Sequence, residues 1–275
     1  MSLFVTSLNS GSNGNCYYVG NDREAVLVDA GISCREIEKR MARLGQKMDK
    51  VAAIFISHEH SDHIRGLSVL ARKYRLPVYV TPKTRQHMRM VLDEERTFAF
   101  RSGESIQIGE LTVKCFLKRH DAIDPHSFVI EGAGVRVGVF TDLGACCEEL
   151  SSHFGRCHAA FLESNYCEDM LESGRYPFFL KNRIRGGFGH LSNRQALDVF
   201  LSHRPEYMSL LLLSHLSRDN NNPQLVADLF SPHAGQTRVV VASRYEETPL
   251  FHVVSSKEEH FQPAAQLMAL QTSLF

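Results

Sequence analysis

The stretch that decides the reading is Ala52-Ala53-Ile54-Phe55-Ile56-Ser57-His58-Glu59-His60-Ser61-Asp62-His63. Its first half is apolar, and we read a buried strand over Val51–Ser57. Its second half packs four ligand-capable side chains into six positions at the strand's end. In extended backbone, residues two apart point the same way, so His58 and His60 can converge on one cation. Asp62 and His63, where the chain turns into a helix, can serve a second. Imidazole suits Zn, Fe and Mn, and a carboxylate suits the harder members of that set. The plain alternative is a polar helix-entry loop with Asp62 as a capping carboxylate. Residue type, spacing and position after a buried strand together favour metal binding.

On the N-terminal side, Leu3–Leu8 and Cys16–Val19 read as strands joined by the Gly/Asn/Ser-rich stretch Asn9–Asn15. The turn Gly20-Asn21-Asp22 leads to a third strand, Ala25–Asp29. Ser33 and Glu36 form a capping box for a helix that Gly45 can end. On the C-terminal side, a helix is expected from just after His63 to about Tyr74. A strand Pro77–Val80 and a helix opened by Thr81-Pro82 follow. Strands are then expected at Ser105–Ile108, Leu111–Leu117, Ser127–Glu131, Val135–Thr141 and Ala159–Leu162. The last third alternates: a helix from Ser192 to about His203, a strand Leu210–Leu213, and a helix from Asn222-Pro223 to about Phe230. Strands Val239–Ala242 and Leu250–Val254 complete the series. The pattern is α/β, two sheets with helices outside. Residues 1–275 read as one domain, with 255–275 as a C-terminal arm.

Lys+Arg and Asp+Glu number 31 each, so the formal net charge is zero. That argues against a sequence-blind electrostatic coat on nucleic acid and leaves room for a local basic groove. The seven cysteines contain no CxxC pair and read as free thiols in a reducing compartment. Residues Met1–Asn15 lack the basic and apolar regions of a signal peptide. No apolar run approaches the roughly 18 residues needed to span a bilayer. The expectation is a cytoplasmic protein that does not engage a membrane; oligomeric state is not readable.

One cluster cannot fill two coordination spheres, so further ligands are expected at other strand ends. His120 follows Leu111–Leu117, Asp142 closes Val135–Thr141, and His215 follows Leu210–Leu213. Any one alone would be an ordinary surface or hydrogen-bonded residue. As a set they supply what His58-x-His60-x-Asp62-His63 lacks, including a carboxylate able to bridge two cations.

This pattern resembles the metallo-β-lactamase-fold hydrolase superfamily, over roughly Leu3 to Val254. The resemblance implies a four-layer αβ/βα sandwich with two divalent metal ions (Zn, Mn or Fe) at one edge of the sheets. It implies His58, His60 and His120 on the first metal, Asp62, His63 and His215 on the second, and Asp142 bridging. Ser10-Gly11-Ser12-Asn13-Gly14-Asn15-Cys16, His120-Asp121-Ala122, Gly189-His190-Leu191-Ser192-Asn193 and Leu213-Ser214-His215-Leu216-Ser217 narrow the likeness to the YycJ/WalJ-type bacterial branch. Glu163-Ser164-Asn165 and Arg175-Tyr176-Pro177 add to it. That branch implies 5′-to-3′ DNA exonuclease activity, with a metal-bridging hydroxide as nucleophile and DNA as partner. His190 is the expected general acid, and Asp62 belongs to the catalytic set.

Substrate contacts are expected from two places. Ser12, Asn13 and Asn15 lie in a Gly-containing loop whose amides can hold a phosphate, or which simply turns a hairpin. Lys181, Arg183 and Arg185 form a basic run before His190, suited to phosphate contacts or to a solvated face. Tyr176, Phe178 and Phe179 could stack on a base, although core packing is expected for at least two of them. Asp121 and Glu163 are expected to orient ligand imidazoles, with Arg218 and Asn220 as braces of the His215 loop. The competing functions are a small-molecule hydrolase acting on a cyclic phosphate, thioester or lactone, and a non-enzymatic module that keeps metals for structure. His190 and the basic run favour the nuclease over the first. The complete ligand set disfavours the second.

Overall fold

The computed structural model describes residues 2–255. All but Ser255 of the expected arm over 255–275 therefore lies outside the described residues. Six strands, β1 (Ser2–Asn9), β2 (Cys16–Gly20), β3 (Ala25–Val28), β4 (Val51–Phe55), β5 (Val78–Val80) and β6 (Thr97–Ala99), follow one another across the first sheet. Seven more, β7 (Ser105–Ile108), β8 (Leu111–Leu117), β9 (His126–Gly132), β10 (Val135–Phe140), β11 (Ala159–Glu163), β12 (Leu210–Ser214) and β13 (Arg238–Val241), build the second in chain order. The last strand, β14 (Phe251–Val254), returns to pair antiparallel with β1. Each sheet starts antiparallel and becomes parallel at its far side, from β3 onward in one and from β10 onward in the other.

The parallel connections carry helices, as parallel pairing requires. These are α1 (Cys34–Arg43), α2 (Ser61–Ile64), α3 (Leu67–Tyr74) and α4 (Pro82–His87) over the first sheet. Over the second lie α5 (Glu148–Phe154), α6 (Glu168–Ser173), α7 (Phe178–Arg185), α8 (Asn193–His203) and α9 (Pro223–Phe230). Side-chain alternation along the strands makes the four layers. Ala53 and Phe55 face the other sheet, joining Val113, Phe128, Val137, Phe161 and Leu212 in the central core. Ile54 and Ile56 face outward onto Ile37 and Met41 of α1 and Leu67 and Leu70 of α3. On the far side Leu211 and Leu213 face Phe154, Phe200 and Phe230 of α5, α8 and α9. Strands buried on both faces read as continuous apolar runs, which is why Ala52–Ile56 and Leu210–Leu213 look as they do.

The helix expected after His63 departs from expectation. It begins earlier, at Ser61, and breaks at Arg65-Gly66 before α3. Close approach explains the break. The amide of Gly66 donates to the carbonyl of Ala30 at 2.8 Å, and a Cβ on Gly66 would sit 1.9 Å from the Ile32 carbonyl oxygen. A Cβ on Gly31 would sit 1.6 Å from the Asp62 carbonyl oxygen. The two glycines let the chain after β3 pass directly against α2, which fixes where Asp62 and His63 stand.

Candidate metal centre

The candidate residues sit past the C-terminal ends of strands from both sheets. His58, His60, Asp62 and His63 follow β4, and His120, Asp142 and His215 follow β8, β10 and β12. These strand ends face one another across the seam between the sheets. Asp142 and His215, and Asp29 after β3, take left-handed backbone with φ of 57°, 58° and 64°. For a residue with a Cβ this costs on the order of 1 kcal/mol. It turns the chain sharply at the strand end, so the side chain meets the site. His215 is held there by its amide, which donates to Ser10 Oγ at 2.7 Å.

Two trios form, linked by a third. The ligand atoms of His58, His60 and His120 lie within 4.8 Å of one another, as do those of Asp62, His63 and His215, and those of His58, His63 and Asp142 connect the two. His58 Nε2 and His60 Nδ1 are 3.1 Å apart. Asp142 lies between the trios: its carboxylate is 3.3 Å from His63 Nε2, 3.3 Å from His215 Nε2 and 3.8 Å from His120 Nε2. His120 Nε2 and Asp142 Oδ2 are buried with no hydrogen-bond partner, since His63 stands close to the latter but out of alignment. Orphaned buried lone pairs of this kind cost free energy unless something else satisfies them. The fit is to divalent cations.

The hydrogen bonds behind the trios set the tautomers. His63 Nδ1 donates to Asp29 Oδ2 at 2.7 Å, which leaves Nε2 for the site. Ser57 Oγ donates to the same carboxylate at 2.8 Å and accepts from His58 Nδ1 at 2.8 Å. His120 Nδ1 donates to the Gly189 carbonyl at 3.0 Å. Asp121, expected to do this, instead faces the ligand-side nitrogen at 3.4 Å and pairs with Arg183. Glu163, buried at the end of β11, accepts from His190 Nδ1 at 2.7 Å and lies 3.2 Å from His215 Nδ1. Its other oxygen accepts from the amides of Leu143 and Leu191 at 2.7 and 3.0 Å. Glu163 could join a cation with Asp142, His190 and His215 by proximity. With both oxygens committed to hydrogen bonds, it positions imidazoles instead.

Electrostatics divide the trios. Burial pushes His58 and His60 down and His120 to about 3, so these imidazoles are neutral with lone pairs available. Burial also opposes charge on His63 and His215, but carboxylates led by Asp142 overcome it. They drive His63 well up and His215 to about 10. Asp62, Asp142 and Glu163 are held low by these imidazoles and by His190, against burial; Glu163 settles at about 2. The carboxylate-rich side of the site thus demands positive charge. Lys118, fully buried behind it, donates to the Thr141 carbonyl at 2.7 Å.

The remaining candidates are placed as follows. His190 stands at the rim, three residues before α8, with ring centroids 5.2 Å from both His120 and His215. Asn15 is fully buried, not presented to solvent. Its side-chain amide donates to Asp62 Oδ2 at 3.2 Å and lies 3.1 Å from His63 Nε2. Ser12 and Asn13 are exposed, and Asn13 donates to the Arg244 carbonyl at 2.9 Å. Lys181, Arg183 and Arg185 lie on α7, where Lys181 meets the Glu172 carbonyl and Arg185 the Glu172 carboxylate. The core expectation for Phe178 and Phe179 is overturned: α7 lies on the surface and buries none of its residues. Tyr176 is half-buried, its hydroxyl on Asp219 at 2.9 Å. Asn220 is buried and takes the Cys167 amide at 2.8 Å. Sequence reasoning missed Asp29, Ser57 and Lys118 as parts of this site. The signal for Asp29 was a carboxylate closing the apolar strand Ala25–Asp29.

Residues 24–215 match the family described as β-lactamase superfamily domain. The chain is 36% identical over 228 residues to exodeoxyribonuclease YycJ of Bacillus anthracis, covering 82% of this chain and 86% of that protein. It is 32% identical over 223 residues to exodeoxyribonuclease WalJ of Streptococcus pneumoniae, covering 79% and 83%. Among solved structures, the metallo-β-lactamase fold protein YhfI from Bacillus subtilis superposes with a TM-score of 0.70 at 16% identity, covering 90% of this chain and 99% of that one. At that identity the likeness speaks for the fold. No helix among the described residues is long and apolar enough to cross a membrane.

Proposed function

The chain belongs to the β-lactamase superfamily domain family, in the branch of the YycJ- and WalJ-type proteins, and on that premise we propose that it is a dinuclear metal-dependent phosphodiesterase that degrades DNA from the 5′ end. The observation that carries phosphodiester cleavage is His190. It reaches the rim of the seven-residue cluster, with Nδ1 held by buried Glu163 at 2.7 Å. Polarity of digestion rests on the family likeness.

Two divalent ions bound there, Zn, Mn or Fe, would supply an activated water and offset charge on the phosphoryl oxygens. His58, His60 and His120 would hold one, Asp62, His63 and His215 the other, with Asp142 between them. The protein's own contribution is position and proton transfer. Asp29, Ser57 and the Gly189 carbonyl lock three imidazoles in the tautomer that presents a lone pair. Asn15 steers the Asp62 carboxylate. His190, its Nδ1 held on the Glu163 carboxylate, directs its other nitrogen to the departing alkoxide as general acid. Ser12, Asn13, Lys181, Arg183 and Arg185 would serve as phosphate contacts.

The test is metal analysis followed by digestion of duplex and single-stranded DNA labelled at either end, with His190→Ala and Asp62→Ala alongside. Metal-dependent release of nucleotides from the 5′ end is expected, reduced about 100-fold or more in His190→Ala. Equal activity of wild type and Asp62→Ala would sink the dinuclear mechanism. Inert nucleic acid with efficient thioester or cyclic-phosphate hydrolysis would move the assignment to a small-molecule hydrolase.

A further inference from the structure

The segment from Pro177 to His190 differs in chemistry from the surface around it. Phe178, Phe179 and Phe188 are 71%, 73% and 62% exposed, and they are three of the four exposed phenylalanines among the described residues. Between Phe179 and Phe188 lie Lys181, Arg183 and Arg185, in a chain whose formal net charge is zero. The Arg185 guanidinium lies 5.8 Å from the Phe178 ring centroid. The strip is anchored. Arg183 meets Asp121, next to His120, through Nε, and Arg185 reaches Glu172 at 3.0 Å. Gly187 and Phe188 pack so tightly on Gly144 that a Cβ there would lie 2.4 Å from Phe188 Cα. At its end the amide of His190 donates to the Ile184 carbonyl at 2.8 Å, so the last turn of α7 runs directly into the rim of the site.

Exposed rings on either side of a basic run are what unpaired nucleotides require. Bases offer π-faces to the rings, and phosphates take the guanidinium and ammonium groups. The paired bases of a blunt duplex stack on each other and have no free faces for three rings. A protein-docking face would be expected to shed lysine from its centre, whereas here Lys181 stands in the basic run between the rings. Resting on the DNA-hydrolase reading, we infer that α7 and the Phe188 loop are a stacking platform for single-stranded DNA. The strand's bases lie on Phe178, Phe179 and Phe188, and its phosphates on Lys181, Arg183 and Arg185. The strand is thereby led to His190. The enzyme's substrate is then a single-stranded end, or a duplex whose end has opened.

The test is equilibrium binding of metal-loaded protein to a phosphorothioate-linked oligonucleotide, which reads affinity without turnover. Single-stranded and blunt duplex forms are compared, with 2-aminopurine near the 5′ end. Phe178→Ala/Phe179→Ala should weaken single-strand binding about 25-fold, roughly 5-fold or more per ring, and abolish the stacking quench. Phe178→Trp/Phe179→Trp should keep both, and Phe98→Ala, on a distant exposed ring, should change neither. Unchanged single-strand affinity in the double alanine variant overturns the platform, as does an equal loss for the blunt duplex. A variant that keeps its DNA affinity but loses a self-associated species assigns the face to a second copy of the chain and overturns it too. If the wild type binds and quenches yet releases no nucleotide from ordinary DNA, the hydrolase reading falls and the platform stands.

Discussion

At the scale of single residues, the hydrogen bonds behind the ligands matter as much as the ligands. Asp29 was legible only as the end of a strand, because its role depends on a pairing 34 positions away. Buried with Ser57 and His63, it can accept but not donate. Asp29→Asn would turn an amide toward one of these donors and favour the wrong tautomer of His63. The expected result is a second-site metal affinity reduced roughly 10–100-fold with little change in fold, measured by calorimetry. Unaltered affinity would show that His63 needs no such partner. The raised His63 and His215 make a further prediction. Both are protonated in metal-free protein at neutral pH, so loading should release about two protons and affinity should fall as the pH is lowered. Binding enthalpies compared in buffers of different ionisation heat count those protons, and a buffer-independent enthalpy would contradict the charge pattern.

Among elements, capping decided what could be read. Helices α1, α4, α8 and α9 open on Ser33, Thr81, Ser192 and Asn222, each accepting a backbone amide with its side chain, and all four were visible in the sequence. Helices α5, α6 and α7 open on Cys147, Cys167 and Pro177 without a side-chain cap, and none was foreseen. They are short, and neighbouring structure holds them where intrinsic signals do not. The early start of α2 has the same origin, since His60 at its head turns into the first candidate trio and makes no capping bond. Such an element depends on the chain that braces it, and Gly31 is the point of contact. Gly31→Ala would drive a Cβ into the Asp62 carbonyl, costing roughly 3 kcal/mol and displacing Asp62 and His63 together. Denaturant melts should show a lowered midpoint, and second-site metal should be lost before the first. A variant as stable and as fully loaded as wild type would mean that α2 is not held by this crossing.

For the molecule as a whole, the site lies on the seam that makes the fold. The strand ends of one sheet contribute His58, His60, Asp62 and His63, and those of the other contribute His120, Asp142 and His215. Both proposed trios draw on both sheets, since His120 completes the first and His215 the second. All seven candidate ligands could be picked out because each follows an apolar strand. Two sheets with helices outside could be read from the element pattern, but their stacking into a four-layer sandwich was implied only by family likeness, because pairing order and layer are long-range properties. A cation bound across the seam stabilises the packing of one sheet on the other, whereas a site confined to one sheet would brace a single loop. Ligand binding to the folded state alone contributes about 2.7 kcal/mol per site at a hundred-fold excess over Kd, which for a chain of this size is roughly 5–10 °C in Tm. Chelation should therefore lower Tm cooperatively for the entire chain, with far-ultraviolet and aromatic signals moving together, and added Mn or Zn should restore it. The direction also depends on pH. Without metal, the raised His215 contributes stability that is complete below about pH 6.5 and lost as the pH climbs through about 10, so the chelated protein should weaken on alkalisation while the loaded one holds. If chelation altered activity but left Tm unchanged, the ions would not be clamping the two sheets, and the site would be an ornament of the loops.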